Sequence, residues 1–261
     1  MRIARFSVSG QIAFGVVEGP DAAAGELAAG TVTAIEGHPF APFELSTARF
    51  PLADVRLLAP VVPSKVVGVG KNYPAHAREM GGDAPQDPVL FLKPSTSVVG
   101  PEDAVMLPAL SREVHHEAEL AVVVGRLVNQ VPVERALEAV LGYTCGNDVT
   151  ARDLQRADGQ WARAKGFDSF CPLGPWVETD LDPSDLAVEC LVDGQVRQSG
   201  RTKDMLHSVA ELVAYASAVM TLLPGDVLLT GTPAGVGPLQ DGDLVEVRIE
   251  GVGTLRNRVA A

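Results

Sequence analysis

The sequence predicts a mainly β fold with a few helices. Most apolar residues come in runs of four to eight that are bounded by Gly, Pro or Asp, which is the pattern of buried strands. Helical periodicity is limited to two segments. The 261 residues include 26 Gly and 19 Pro, as expected for many turns, and 46% are hydrophobic, as expected for a globular core. This length suits one large domain or a domain with a small appendage.

The predicted elements follow from these patterns in chain order. Strands are expected at residues 2–7, 11–18, 66–70, 186–192, 226–230, 244–249 and 252–259. An Ala-rich loop is expected over 21–30. A short helix is expected over 134–141, because Pro132 lies near its start and Gly142 follows its end. A longer helix is expected over 203–220, where the apolar residues fall on one stripe and a Pro-Gly turn follows.

The composition also predicts how the chain divides. Pro60 and Pro63 flank an apolar pair, and the stronger strand at 66–70 begins shortly after them. We therefore expect a small N-terminal β-rich domain, residues 1–60, and a main domain, residues 61–261.

Charge and apolar patterning exclude two classes of partner. The net charge of −12 leaves no basic stripe that could neutralise nucleic-acid phosphates. The longest charge-free apolar stretch, 212–223, is too short to span a bilayer, and no targeting segment is recognisable at the start of the sequence. Cys145, Cys171 and Cys190 form no CxxC pair and fit a reducing compartment. We expect a soluble, cytoplasmic protein.

Two glutamates, Glu117 and Glu119, lie at the head of a β-branched run that predicts a strand. Residues two apart in a strand point to the same face, so the two carboxylates should lie side by side. Like charges held that close require a cation or a proton, and paired oxygen ligands favour a hard divalent ion such as Mg²⁺, Mn²⁺ or Ca²⁺. The alternative is an amphipathic strand with a solvated acidic edge.

Asp148 is a third candidate ligand, because it lies where a short strand is expected to end in a polar corner before a helix. With Glu117 and Glu119 it would leave roughly half of an octahedral Mg²⁺ shell for water or substrate oxygens. The alternative is that Asp148 caps the following helix. His115 and His116 could be zinc ligands on spacing alone, but the neighbouring oxygen set favours a hard cation.

His76 and Glu79 form a second cluster, because residues three apart on a helical turn are neighbours. A carboxylate beside an imidazole raises its pKa and fixes its tautomer, as a general base requires. Flanking Pro and Gly residues make the segment a candidate lid over a site. The alternative is an exposed surface pair of little energetic weight.

Two glycine-rich segments do not match nucleotide-binding fingerprints. Gly68 and Gly70 follow a strand, but Tyr73 stands where a dinucleotide fingerprint needs its third glycine. The segment 231–237 lacks the Lys-Ser/Thr ending of a P-loop. Its glycines fit a tight loop whose backbone N–H groups approach an anion closely.

Taken in order, six motifs resemble the fumarylacetoacetate hydrolase family, which contains acylpyruvate hydrolases, oxaloacetate decarboxylases and hydroxyheptadienedioate isomerases. The resemblance spans roughly residues 62–259, and residues 1–60 resemble the small N-terminal domain of some bacterial members. The motifs are Gly70-Lys71-Asn72-Tyr73 with His76 and Glu79, Phe91-Leu92-Lys93-Pro94, His116-Glu117-Ala118-Glu119-Leu120, Asn147 to Asp153, Ala164 to Asp168, and Leu229 to Gly237.

The resemblance implies a mixed β-sandwich roll, assembled as a homodimer, and a role for each matching residue. It implies that Glu117, Glu119 and Asp148 bind Mg²⁺ or Mn²⁺. It further implies a water-activating lid dyad and a lysine beside the developing charge, as well as three residues that contact the substrate. These implied residues are the dyad His76 and Glu79, the lysine Lys165, and the substrate-contacting Arg152, Gln155 and Thr232.

The implied substrate is a short 2-oxo acid, which can chelate the metal through its carboxylate and its 2-oxo oxygen. The metal would then stabilise an enolate, and this suits C–C bond hydrolysis, decarboxylation or isomerisation. Within the family we favour a 2-hydroxyhepta-2,4-diene-1,7-dioate isomerase or acylpyruvate hydrolase. The alternatives are an oxaloacetate decarboxylase and a non-catalytic protein that binds a metal and a keto acid.

Overall fold

A computed structural model of the chain describes residues 1–19 and 30–261. Its strands are β1 (Arg2–Val8), β2 (Gln11–Glu18), β3 (Thr31–Glu36), β4 (Glu44–Pro51), β5 (Arg56–Leu58), β6 (Val66–Gly70), β7 (Val89–Lys93), β8 (Val98–Val99), β9 (Val105–Met106), β10 (Val114–His116), β11 (Ala118–Val124), β12 (Val140–Asn147), β13 (Thr150–Ala151), β14 (Cys171–Glu178), β15 (Ala187–Val192), β16 (Gln195–Arg201), β17 (Val227–Leu229), β18 (Gly237–Pro238), β19 (Leu244–Ile249) and β20 (Gly253–Ala260). Its α-helices are α1 (Pro74–Glu79), α2 (Arg152–Asp158), α3 (Ala162–Lys165) and α4 (Val209–Val219). The predicted mainly β fold is confirmed.

The largest sheet has the strand order β4-β3-β2-β1-β14-β12-β11-β17-β6-β7, with β5 paired to β1 and β8 paired to β14. Most neighbours are antiparallel, but β17 runs parallel to β6 and β8 runs parallel to β14. The sheet is therefore mixed, as expected. All seven residues of β11, an interior strand of this sheet, are buried, which explains the apolar run in the sequence.

A five-stranded sheet, ordered β16-β15-β19-β20-β9, packs against β11, β12 and β14 of the largest sheet. Side chains from both sheets and from α4 form one buried apolar cluster that includes Leu120, Val188, Leu212 and Val247. A three-stranded sheet, β13-β10-β18, brings together three segments that lie far apart in the sequence. These packed layers hold the ends of β6, β10, β12 and β17 close to one another.

The N-terminal strands extend the largest sheet instead of forming a separate one. β1 pairs with β14 in the register Arg2↔Glu178, and Phe6 and Trp176 belong to one buried cluster. A domain boundary at residue 60 stays a prediction. The predicted Ala-rich loop lies, apart from Gly30, outside the described residues.

Both predicted helices are shorter than the sequence pattern indicates. The helix expected over 203–220 is α4, which begins only after Ser208, because the Ser208 side chain and Glu211 form a reciprocal capping box. The helix expected over 134–141 is a 3₁₀-helix, Val133–Ala139. It ends there because the β-branched Val140 already pairs with Val124 in the sheet.

Two further observations concern sequence predictions. Cys145, Cys171 and Cys190 are all free and buried, so no disulfide joins them. Within the described part of the chain, no helix is long and apolar enough to cross a membrane.

Candidate active site

Glu117 lies at a break between two strands. The sequence predicted that both glutamates lie at the head of one strand, but β10 ends at His116 and β11 begins at Ala118. At the break, the Glu117 N–H donates to Asn147 Oδ1 at 2.9 Å, and the Asp148 N–H donates to the Glu117 carbonyl oxygen at 2.9 Å. The interruption therefore ties Glu117 to the corner that carries Asp148.

Glu117, Glu119 and Asp148 form a buried carboxylate cluster. One oxygen from each residue lies within 4.8 Å of the others, and the three residues are 3%, 1% and 1% exposed. The alternative of a solvated acidic edge is therefore wrong. The capping alternative for Asp148 is also wrong, because α2 begins at Arg152 and its N-cap is Ala151.

Three buried cations surround these carboxylates. Lys165 Nζ lies 2.7 Å from Glu117 Oε2 and 2.5 Å from Asp148 Oδ2. Lys93 Nζ lies 2.6 Å from Asp148 Oδ1, and Arg152 forms an ion pair with Glu117 Oε1. All three cations contact Glu117 or Asp148, which explains how these two carboxylates can be buried. Among the described residues, none of the three forms an ion pair with Glu119.

The two glutamates have opposite electrostatic environments. Burial alone would raise the pKa of Glu117, but Arg152 and Lys165 hold the pKa of this carboxyl well below its usual range. Burial raises the pKa of Glu119 well above its usual range, and the neighbouring Asp148 and Glu117 raise it further. Although burial opposes its charge, Lys165 has a raised pKa because of Asp148 and Glu117, so it remains an ammonium.

The predicted pair of His76 and Glu79 lies on α1. His76 Nδ1 is 3.0 Å from Glu79 Oε2, and His76 is only 5% exposed. The other carboxylate oxygen of Glu79 accepts a hydrogen bond of 2.9 Å from the Gly235 N–H. The alternative of an exposed surface pair therefore fits Glu79, which is exposed, but not His76, and Glu79 also joins α1 to the loop 231–237.

The glycine-rich loop 231–237 binds carboxylates of the protein itself. The Gly231 N–H donates to Glu119 Oε2 at 2.6 Å, and Gly235 donates to Glu79. Both glycines have positive φ values, +96° and +102°, that favour glycine over other residues. The expected approach of backbone N–H groups to an anion is thus found, with side-chain carboxylates as the anions.

Gly68 and Gly70 make room for an aromatic wall. A Cβ at Gly68 would lie 2.1 Å from the Phe91 ring, and one at Gly70 would lie 2.5 Å from Trp161. The two rings meet edge to face with their centroids 5.4 Å apart, and Lys165 Nζ lies 4.9 Å from the Phe91 centroid. These two glycines, which resemble part of a dinucleotide fingerprint in the sequence, therefore allow the close packing of aromatic rings.

One cavity of about 170 Å³ brings the predicted site residues together. Eight of the nine line it directly, and the ninth, Glu79, contacts His76. The eight are His76, Glu117, Glu119, Asp148, Arg152, Gln155, Lys165 and Thr232.

Sequence reasoning gave no role to Lys93 or Gln198. Lys93 had a recognisable signal, since it is a lone lysine at the end of the apolar run Val89–Lys93. Gln198 had none. Gln198 is fully buried on β16. Its Oε1 accepts a hydrogen bond from the Ala118 N–H at 3.0 Å, and its Nε2 donates one to Thr232 Oγ1 at 2.7 Å. It also bonds His116 Nδ1 at 2.9 Å, and neither this histidine nor His115 belongs to the carboxylate cluster.

Comparison with known protein families gives two matches. Residues 65–260 match the family described as "Fumarylacetoacetate (FAA) hydrolase C-terminal". Residues 1–60 match the family described as "Rv2993c-like, N-terminal". Together the two matches cover nearly the whole chain.

Two curated relatives illustrate the range of similar proteins. The protein Rv2993c of Mycobacterium tuberculosis is 53% identical over 99% of this chain and 98% of its own length. The human mitochondrial oxaloacetate tautomerase FAHD2A is 45% identical over 80% of this chain and 71% of its own length.

Solved structures of enzymes share the fold, as the sequence predicted. The 2-hydroxyhepta-2,4-diene-1,7-dioate isomerase of Mycobacterium marinum is 51% identical, with a TM-score of 0.93 over 100% of this chain and 98% of that one. The fumarylpyruvate hydrolase of Pseudomonas aeruginosa, solved with Mn²⁺ and pyruvate, is 36% identical, with a TM-score of 0.73 over 82% and 92% of the two chains. On these similarities and the 65–260 match, the chain belongs to the fumarylacetoacetate hydrolase family of enzymes.

Proposed function

We propose that the chain is a divalent-metal-dependent enzyme that acts on a short 2-oxo acid through an enolate. The observation that carries this proposal is the single cavity that joins a buried three-carboxylate cluster, Lys165 and His76. Within the family we favour a 2-hydroxyhepta-2,4-diene-1,7-dioate isomerase or an acylpyruvate hydrolase, in keeping with the names of the two similar structures.

The carboxylate cluster fits a hard divalent cation. All of its donors are oxygens, which Mg²⁺ and Mn²⁺ prefer, and they lie within 4.8 Å of one another. Glu119 has no ion-pair partner among the described residues and lies beside Asp148 and Glu117, so a cation would relieve like-charge repulsion. Glu117, Glu119 and Asp148 would hold the ion, and Mg²⁺ or Mn²⁺ would supply a Lewis acid that stabilises enolate charge.

Lys165 would supply a second positive charge at the reacting end of the substrate. Its ammonium is fixed by Glu117 and Asp148 on one side and by the Phe91 ring on the other. A cation held in place before the reaction stabilises developing negative charge without reorganisation at the moment of bond cleavage.

His76 would act as the general base when the reaction needs a water. With the Nδ1 proton donated to Glu79, Nε2 is left free to accept a proton. In acylpyruvate hydrolysis, Nε2 would take the proton of a water whose oxygen attacks the distal carbonyl. Isomerisation would need only the proton-transfer capacity of the same imidazole, and decarboxylation would need no such water.

Arg152, Gln155 and Thr232 would orient the substrate. Arg152 Nη1 donates to Gln155 Oε1 at 2.8 Å, which leaves the amide N–H₂ group of Gln155 for a ligand. Thr232 Oγ1 donates to the Ala118 carbonyl at 2.8 Å and accepts from Gln198, so its orientation is fixed. Groups held this way reduce the entropic cost of placing the substrate.

The proposal is tested by assaying the purified protein with Mg²⁺ or Mn²⁺ on an acylpyruvate, a 2-hydroxydienedioate and oxaloacetate. We expect Glu119→Ala to abolish turnover, whereas Glu44→Ala, an exposed carboxylate on β4, leaves it unchanged. If Glu119→Ala keeps full activity, the metal assignment is wrong. His76→Ala should lower acylpyruvate hydrolysis by about 10²–10⁴-fold and affect decarboxylation far less.

A second candidate function is action on oxaloacetate, by tautomerisation or decarboxylation. The relative named oxaloacetate tautomerase, 45% identical, favours it. Turnover of oxaloacetate alone in the substrate panel would select this candidate. Strong thermal stabilisation by Mg²⁺ and oxalate without turnover of any 2-oxo acid would instead indicate a non-catalytic binder.

We also propose that the protein is a cytoplasmic homodimer. Both proposals rest on the sequence: the resemblance implies the dimer, and the three free, buried cysteines fit a reducing compartment. Light scattering coupled to size-exclusion chromatography measures the oligomeric state directly, and a monomeric mass would contradict the dimer.

A further inference from the structure

We propose that Gln198 is a positioning residue that sets the Thr232 hydroxyl as a hydrogen-bond acceptor towards the cavity, so that this point of the site takes an O–H or N–H donor of the ligand. The inference rests on the proposed function and adds the polarity of one side of the site. Three observations carry it: a fully buried amide, hydrogen bonds whose directions the backbone fixes, and a position between two segments of the site.

Gln198 is a fully buried amide on a strand that is otherwise exposed or half-buried. This strand, β16, forms one edge of the five-stranded sheet. The Gln198 amide makes four hydrogen bonds with the described residues, two at Oε1 and two at Nε2. Burial of an amide is costly unless it is hydrogen-bonded, and here both lone pairs and both protons are used. The hydrogen bonds therefore explain why an amide can lie in this position.

The backbone fixes the direction of these hydrogen bonds. The Ala118 N–H can only donate, so the amide atom that faces it at 3.0 Å is Oε1. The Pro233 carbonyl can only accept, so the amide atom that faces it at 2.7 Å is Nε2. The second Nε2 proton is therefore donated to Thr232 Oγ1, at 2.7 Å.

Thr232 is left with one lone pair and no proton for a ligand. Its O–H donates to the Ala118 carbonyl at 2.8 Å, and its oxygen accepts from Gln198. A hydroxyl has one proton and two lone pairs, so one acceptor position remains. Because Thr232 lines the cavity, an O–H or N–H group of a ligand can donate to that position. A carboxylate or keto oxygen at the same point would meet a lone pair instead.

Gln198 also joins two segments that carry the site. On one side it binds Ala118, the residue between the two glutamates of the carboxylate cluster, 80 positions away in the chain. On the other side it binds the loop 231–237 at Thr232, 34 positions away. The described residues that line the cavity do not include Gln198. Its effect on a ligand therefore passes through Thr232.

The test measures by calorimetry how oxamate and oxalate bind to the Mn²⁺-loaded protein. The two ions have similar size, but oxamate carries an amide N–H₂ group where oxalate has only acceptor oxygens. Thr232→Val should raise the ratio of the oxamate Kd to the oxalate Kd by about 3-fold to 10-fold, as loss of one hydrogen bond does. Thr232→Ser keeps the hydroxyl and should keep the wild-type ratio. Because each variant is compared with the wild type, the difference in charge between the ligands cancels.

Gln198→Met keeps the length of the side chain and removes its four hydrogen bonds. It should raise the same ratio by about 3-fold, because the freed Thr232 hydroxyl can turn its proton towards oxalate. In a Thr232→Val background it should change the ratio no further. Gln195→Met, at an exposed position of the same strand, should leave the ratio unchanged. Without any ligand, hydrogen exchange in the loop 231–237 should be faster in Gln198→Met and unchanged in Gln195→Met.

Three outcomes would overturn the inference. If Thr232→Val weakens oxalate more than oxamate, the hydroxyl donates to the ligand. If it weakens both equally, a water and not the ligand occupies the acceptor position. If Gln198→Met lowers the Tm but leaves the ratio unchanged, its role is structural only. In each of these cases the proposed function stands, whereas a wild type that binds neither ion and turns over no 2-oxo acid would refute the proposed function itself.

Discussion

Glu117 and Glu119 are expected to respond in opposite directions when each is neutralised in the metal-free protein. Glu119→Gln should stabilise the protein against unfolding, whereas Glu117→Gln should destabilise it. The two residues are alike in type and in burial, although Glu117 lies at the break before β11 and Glu119 lies within it. The expected difference comes from the charged groups that each carboxylate contacts.

The stabilising effect of Glu119→Gln follows from the burial of this carboxylate and from like-charge repulsion. Glu119 is 1% exposed and lies beside two other carboxylates, and burial together with Asp148 and Glu117 raises its pKa. A buried polar group without a compensating partner costs about 1–3 kcal/mol, so replacing this carboxylate with a neutral amide should raise the free energy of unfolding by a similar amount. A Gln carbonyl can still accept the hydrogen bond from the Gly231 N–H.

The destabilising effect of Glu117→Gln follows from two broken ion pairs. Arg152 and Lys165 both contact the Glu117 carboxylate, and both cations are at most 3% exposed at the side chain. Removal of one member of a buried pair leaves an uncompensated charge and costs about 3–5 kcal/mol. Asp148 still contacts Lys165, which places the expected loss at the lower end, about 3 kcal/mol.

Urea unfolding of the wild type and both variants in EDTA at pH 7 measures these differences. The raised pKa of Glu119 means that the folded state binds this proton more tightly than the unfolded state. The contribution of Glu119 to the free energy of unfolding should therefore fall as pH rises above the ordinary glutamate pKa, so the advantage of Glu119→Gln over the wild type should be larger at about pH 7 than at about pH 4. Saturating Mn²⁺ should stabilise the wild type by about 2.7 kcal/mol at 100 times its Kd and both variants by less.

Equal destabilisation of the metal-free protein by Glu117→Gln and Glu119→Gln would refute this reasoning. It would show that the surrounding cations do not distinguish the two carboxylates. An undiminished response of Glu119→Gln to Mn²⁺ would separately refute its role as a ligand.

Three further predictions concern groups outside the carboxylate cluster. Asp226 is fully buried and pairs with Lys65, so Asp226→Asn should cost about 2–3 kcal/mol in urea unfolding. Burial alone would raise the pKa of Asp226, but hydrogen bonds from Lys65, Ser64 and backbone N–H groups lower it. The contribution of Asp226 to the free energy of unfolding should therefore be lost as pH falls through that lowered pKa. Identical acid unfolding of Asp226→Asn and the wild type would contradict this. Gly68→Ala should lower the free energy of unfolding by about 1–3 kcal/mol and reduce activity, because its Cβ would lie 2.1 Å from the Phe91 ring. Gly237→Ala should lower it less, because the nearest atom to its Cβ would be 3.4 Å away. Equal losses of stability in the two variants would refute the steric account. The three cysteines are buried with pKa values raised to about 12, so mass spectrometry should find no alkylation of the native protein at pH 8 and three adducts after unfolding.

Local sequence patterns predicted closely the bounds of the strands that they identified, but they gave no bounds for β3, β4, β7, β14 or β16. They predicted the helix boundaries poorly. The strand expected at 244–249 is β19 at the same residues, because its alternating and β-branched residues pair with both neighbours in the sheet. The helix expected over 203–220 failed at its start. Its apolar stripe continues before Ser208, but the residues Thr202–Asp204 form a separate 3₁₀ turn, and the capping box makes α4 begin only after Ser208. Periodicity reports which residues are buried and does not report which backbone conformation buries them.

The sequence also predicted the members of the site better than their interactions. Motif order placed Glu117, Glu119 and Asp148 together, and the structure finds them in one cluster. It gave no role to Lys93, whose ammonium reaches Asp148 across 55 positions of the chain, or to Gln198, which reaches Ala118 across 80. The first contact joins the ends of two strands that lie apart in the largest sheet, and the second joins two different sheets. No local pattern records either arrangement.

By itself, the sequence determined the chemistry that is available: oxygen ligands, a histidine–glutamate turn, a lysine near them and a mainly β scaffold. Only the tertiary structure decided how each charge is balanced. It placed Arg152 and Lys165 against Glu117 and left Glu119 beside carboxylates, so two residues that the sequence presents as equivalent have pKa values displaced in opposite directions. The physical reason is that a charge in a buried site is governed by the few groups within contact distance, and folding alone sets those distances.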